Sequence, residues 1–148
     1  MQSMYLSTAA ILLGGVLLSI QSPLNAQLGR AVGSPVNAAL ISFLVGTAAL
    51  SVLAVVQRIA PNDVQTRALP WYAWVGGLCG AVFVTAAAYA APRLGVATML
   101  SLAIASQLAT ALVLDHHGAL GLSQHPVSLG RLAGMALVIA GVIVVRKY

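Results

Sequence analysis

Gln21-Ser22-Pro23-Leu24-Asn25-Ala26-Gln27-Leu28-Gly29-Arg30-Ala31-Val32-Gly33-Ser34-Pro35-Val36-Asn37 joins the end of one apolar run to the start of the next, and it sets amides inside sequence that otherwise suits hydrocarbon. An amide left unpaired in lipid costs roughly several kcal/mol, so these side chains must face protein or water. Wound at about 100° per residue, Gly14, Leu18, Gln21 and Asn25 share one helical face, small at one end and polar at the other. Pro23 cannot donate to the Ser19 carbonyl and its ring crowds that oxygen, so a kink and a free acceptor are expected near the end of the helix. Such a face suits a solute site, because intramembrane polar residues mark transport paths. The same amides would equally serve as hydrogen-bonding glue between neighbouring helices.

The composition of the whole chain agrees with this setting. Of 148 residues 60% are hydrophobic and only 6% charged, and the mean hydropathy is +0.98. A soluble domain carries roughly a quarter charged residues, whereas a run of about 20 apolar residues crosses a bilayer core. The chain therefore reads as an all-α integral membrane protein with five spans, at about 5–27, 35–56, 71–91, 94–114 and 128–145, forming one domain over 1–148. No basic residue precedes residues 6–20 and four further runs follow, so the first run reads as a span and not as a cleaved signal. The net charge of +5 sits mainly between or beside the runs, as topology and headgroup contacts, and does not indicate nucleic-acid binding. A single cysteine, Cys79, excludes a disulfide framework and is expected to be a buried, inert thiol.

The connections carry their own signals. Ser34-Pro35 supplies a capping hydroxyl and a proline for the first helical position of the second span. Ala38, Ser42, Val45, Gly46 and Ala49 form a mostly small stripe along that span, where another helix can approach closely. Residues 57–70, with Arg58, Pro61, Asp63, Arg67 and Pro70, form the longest polar connection. Trp71, Tyr72 and Trp74 then mark an interfacial belt. In the third span Gly76 and Gly80 offer a packing face, and Thr85 and Tyr89 add hydroxyls; Pro92-Arg93 is expected to form a tight turn. In the fourth, Ala103, Ser106, Gln107 and Thr110 share a face. In the fifth, Gly130, Gly134, Leu137 and Gly141 do. Asp115, His116, His117 and His125 gather at one span end, but adjacent His116 and His117 point differently on a helix and no i, i+4 ligand pair exists, so no metal site is expected. Neither a cofactor motif nor a nucleophile–base pair at workable spacing is present, which argues against an enzyme.

Gln21 through Asn25 to Gly29-Arg30, Ser34-Pro35 with Ser42-Phe43-Leu44-Val45-Gly46-Thr47, Ser106-Gln107 with Asp115-His116-His117-Gly118, and the glycine-spaced last span together resemble the YdcZ-like family of small inner-membrane exporters in the drug/metabolite transporter superfamily. The likeness covers nearly the whole chain, and its specific part lies in the first and fourth spans. The resemblance implies a five-helix unit in a bacterial inner membrane that pairs with an inverted copy of itself, giving an antiparallel homodimer of ten helices. Small multidrug exporters of the superfamily carry a membrane-buried glutamate in the first span. This chain has no acidic residue in any span, and it has His117 where a phenylalanine is usual in the family.

These readings converge on a secondary transporter exporting a small metabolite or drug-like solute; the alternative is a structural or assembly subunit that transports nothing. Five helices alone enclose a midplane site poorly, and transporters build such sites between inverted repeats, so one chain would supply both halves. Basic residues divide three against four across the membrane: Arg58, Arg67 and Arg131 on the N-terminal side, Arg30, Arg93, Arg146 and Lys147 on the other. That balance predicts dual topology. With the first span ending at Gln27, Gln21 would lie about 6 to 8 Å from the far surface and Gln107 about 10 Å from the near one. Inversion of a partner would then match their depths, joining Gln21 and Asn25 of one chain to Gln107 with Ser106 or Thr110 of the other. Thr85 and Tyr89 are expected beside that cavity, and Asp115 is the candidate for proton coupling. Gly14, Ser42, Gly46, Gly76, Gly80, Gly134 and Gly141 are the expected packing positions.

Overall fold

The computed structural model describes residues 2–58 and 69–148, with the side chains of residues 2 and 3 excepted. Pro61, Asp63 and Arg67 of the long connection fall outside the described residues. Among the described residues five helices are long and apolar enough to cross a membrane: α1 (Gln2–Ala31), α2 (Pro35–Val56), α3 (Gly76–Leu94, preceded by a 3-10 turn Trp71–Val75), α4 (Val96–His117) and α5 (Leu129–Lys147).

Two helix starts follow directly from side-chain capping. Ser34 is extended at φ −158°, ψ 133°, and its Oγ accepts from the Val36 N–H at 3.2 Å, with Pro35 at the first helical position. Ser128 caps α5 in the same way, accepting from the Arg131 N–H at 3.3 Å. The helix ends belong instead to glycines with positive φ. Gly33 (76°) follows α1, Gly95 (82°) separates α3 from α4, and Gly118 (59°) closes α4. α1 accordingly extends past Gln27 to Ala31, and α3 runs through Pro92 to Leu94, so the tight turn lies at Gly95 and not at Pro92-Arg93. A proline in the last turn forfeits one backbone bond, a loss that membrane helices tolerate.

The chain divides into two compact units, Met1–Arg93 and Leu94–Tyr148. In the first, α1 packs on α2, and the buried side chains are small: Ser22, Asn25 and Ala26 of α1, Ala38 and Ala39 of α2, and Val84, Ala87, Ala88 and Ala91 of α3. Gly29 lies against the start of α2, where a Cβ would stand 3.5 Å from the Pro35 Cα and 3.6 Å from the Ala38 Cβ. Cys79 is exposed, contrary to expectation, because it sits about 140° around α3 from the buried Val84. Of the stripe expected on α2, Ala38 is buried and Ser42 is half-buried, whereas Val45 is exposed.

In the second unit α4 packs on α5 through Leu108, Leu112, Met135 and Val138. The 118–128 connection folds back on the end of α4. The His125 N–H donates to the Asp115 carbonyl (2.8 Å), Gln124 Nε2 donates to the His116 carbonyl (2.9 Å), and the Val127 N–H donates to His116 Nδ1 (3.3 Å).

Candidate functional site

The site assembles in the first unit from α1, α2 and α3. Gln21, Ser42, Gly46, Thr47 and Val84 line a groove of about 230 Å³ whose sides are completed by Phe43 and Leu50. Gln21 stands ten residues before Ala31, the end of α1, hence about 15 Å from that end. Thr47 lies twelve residues into α2, about 18 Å from its start. Apart from amides and hydroxyls the lining is apolar, and no charged side chain borders the groove.

One turn along α1, Asn25 is 6% exposed, yet its amide has no hydrogen-bond partner among the described residues. That amide is not sealed, since every fully enclosed side-chain nitrogen or oxygen among the described residues is bonded. The neighbouring serines behave differently. Ser22 Oγ donates to the Leu18 carbonyl (3.2 Å) and Ser19 Oγ to the Gly15 carbonyl (2.9 Å), spending their hydrogens on their own helix just before the gap left by Pro23. Gln21 and Asn25 thus keep their hydrogen-bonding capacity for something else.

The remaining expected residues lie elsewhere. Ser106, Gln107 and Thr110 are exposed on the side of α4 turned away from α5. Ser106 Oγ donates to the Ala103 carbonyl and Thr110 Oγ1 to the Ser106 carbonyl, both at 2.9 Å, while Gln107 has no partner among the described residues. Gln107 is eleven residues into α4, about 16 Å from its start. Thr85 and Tyr89 do not line the Gln21 groove, and Tyr89 borders a separate recess beside Arg93. Asp115 is ion-paired, its Oδ2 accepting from Arg131 Nη1 at 3.2 Å, with both side chains about one-third exposed. The pair closes one end of an otherwise apolar cleft of about 430 Å³ between α4 and α5.

Of the expected packing positions, Ser42 and Gly46 line the groove, and a Cβ at Gly80 would lie 3.3 Å from the Phe43 ring. Gly14, Gly76, Gly134 and Gly141 have open space where a Cβ would stand. Sequence reasoning missed Thr47 as a lining residue and Ser22, Ala26 and Gly29 as the buried face of α1. The available signals were a hydroxyl inside an apolar helix and small residues spaced by three and four.

A family model described as "Putative inner membrane exporter, YdcZ" matches residues 6–144. The chain is 27% identical over 143 residues to the inner membrane protein YdcZ of Escherichia coli (strain K12), covering 96% of this chain and 95% of that protein. No solved structure matches. These likenesses and the five apolar helices make it a multi-pass protein of the inner membrane, of an exporter family and not of an enzyme family.

Proposed function

The chain belongs to the YdcZ family of inner membrane exporters, and from that premise we propose that it is a secondary transporter for a small neutral or zwitterionic solute, working as an inverted homodimer. The observation that carries the reading is the groove between three spans with its uncommitted amides. Gln21 and Asn25 stand in apolar surroundings without partners among the described residues, while Ser42 and Thr47 face the same space as Gln21. A solute with several hydrogen-bonding groups would satisfy them at a depth where water does not compete. The uncharged lining favours neutral or zwitterionic cargo over a bare cation.

The second copy supplies what one chain leaves open. Gln107 is exposed at mid-depth, where an unpaired amide in lipid is costly. Inversion about an axis in the membrane plane brings Gln21 and Asn25 of one copy close to the depth of Gln107, Ser106 or Thr110 of the other, so that the two sets meet. Asp115 remains the carboxylate available to proton coupling, at the end of a span.

Flux in proteoliposomes over a panel of small amines, acids and sugars tests the reading. Wild-type protein is expected to move at least one panel member, and Gln21→Leu to lower that flux about tenfold through the loss of one buried hydrogen bond. Unaltered flux in folded Gln21→Leu would remove the groove from the pathway. A second reading, a packing subunit that transports nothing, is favoured by the open surfaces at Gly14, Gly134 and Gly141. It predicts no flux for any member of the panel.

A further inference from the structure

At the opposite end of the first unit from the Trp71–Tyr72–Trp74 belt, the last turns of α1 and α3 meet the first turn of α2 around a recess of about 220 Å³, bordered by Ala26, Gly29, Arg30, Pro35, Tyr89 and Arg93. Its floor is apolar and its rim holds two guanidinium groups. Arg93 is fixed in place: its Cζ lies 3.6 Å from the centre of the Tyr89 ring, and Nη1 donates to the Tyr89 carbonyl. Stacking against the ring sets the plane of the fork and leaves its other N–H groups free to turn outward. Arg30 has no hydrogen-bond or ion-pair partner among the described residues, and neither arginine meets a carboxylate there. The start of α2, with Pro35 at its first position, adds the partial positive charge of a helix N-terminus.

We propose that this recess binds the phosphate of an anionic phospholipid headgroup, held between Arg30 and Arg93. Planar guanidinium forks match phosphate oxygens two at a time, which a simple topology signal would not require. The position fits a lipid better than a free phosphate: the recess lies within the last turns of two spans, at headgroup depth, and its apolar floor suits glycerol and the upper acyl carbons. Its volume is below the roughly 300 Å³ at which pockets for drug-sized ligands begin, so a headgroup enters and the tails stay in the bilayer. The site is independent of the solute groove and stands or falls separately from it.

The test is binding of phosphatidylglycerol, phosphatidylcholine and inorganic phosphate to the full-length protein in detergent, by native mass spectrometry. Phosphatidylglycerol is expected to bind preferentially, with about fivefold weaker binding in Arg30→Gln and again in Arg93→Gln, as each basic group near an anionic lipid contributes on that order. A variant with both Arg146→Gln and Lys147→Gln loses the same two charges as the double variant Arg30→Gln with Arg93→Gln, and is expected to retain the preference. A photoactivatable phosphatidylglycerol on unmutated protein gives a readout that no folding defect can confuse, and labelling is expected within residues 26–35 and 88–93. Equal lipid preference in the double arginine variant, an equal loss in the Arg146/Lys147 variant, displacement of the lipid by millimolar phosphate, or labelling concentrated elsewhere would each overturn the proposal.

Discussion

Gly118 holds φ at 59°, and a Cβ there would lie 3.2 Å from the Leu122 carbonyl oxygen and 3.3 Å from the Gln124 Cβ. Both the backbone and the space therefore demand glycine, and Gly118→Ala is expected to cost about 1–2 kcal/mol, read as a shifted midpoint in denaturant unfolding from mixed micelles. Gly14 provides the contrast, since nothing lies within 4 Å of its would-be Cβ and its backbone is helical. Gly14→Ala is expected to leave stability unchanged or to raise it by up to about 1 kcal/mol. A destabilised Gly14→Ala would mean that the residue is packed against a second copy. Gln21 was legible because an amide in a span is conspicuous. Cys79 was misread because an apolar neighbourhood in sequence says nothing about which side of a buried helix a residue takes.

Among the elements, α4, α5 and the chain between them form a hairpin clasped at one end by the Asp115–Arg131 pair and by bonds from residues 124, 125 and 127. His116 Nδ1 accepts from the Val127 N–H, so in this clasp the ring carries its proton on Nε2. The ion pair is about one-third exposed, which limits its value to about 0–1 kcal/mol. Asp115→Asn is therefore expected to fold with little loss of stability in the same unfolding assay. Pumping driven by a pH gradient in proteoliposomes can then be read cleanly: its loss in Asp115→Asn would assign coupling to this carboxylate, and its retention would withdraw the assignment. Helix starts were legible here and in α2 because serine caps act through local chemistry written in consecutive residues. The ends were less so, since Arg30 and Pro92 looked like stops while Gly33 and Gly95, whose positive φ makes the turns, carry no side chain to announce them. Faces were harder still, because nearly every position in a membrane helix is apolar and periodicity hardly separates lipid from protein.

For the whole molecule, three basic residues against four predicts both orientations in the membrane. A single cysteine in the 57–70 connection, in a Cys79→Ser background, is expected to be labelled by an impermeant reagent in about half of the copies, as near-equal insertion requires. Labelling of all copies or of none would end that reading. Cysteines at positions 21 and 107 are expected to cross-link between chains, and a product formed only within one chain would refute the shared cluster. The bare amide of Gln107 also bears on the life of a newly made copy. If a second copy covers it, as proposed, a lone copy keeps a group whose exposure to hydrocarbon costs roughly several kcal/mol, and is expected to be the less stable species and the preferred substrate of membrane proteolysis. Abundance should then rise more steeply than synthesis rate, because survival depends on meeting another copy, and Gln107→Leu should flatten that curve by letting solitary chains persist.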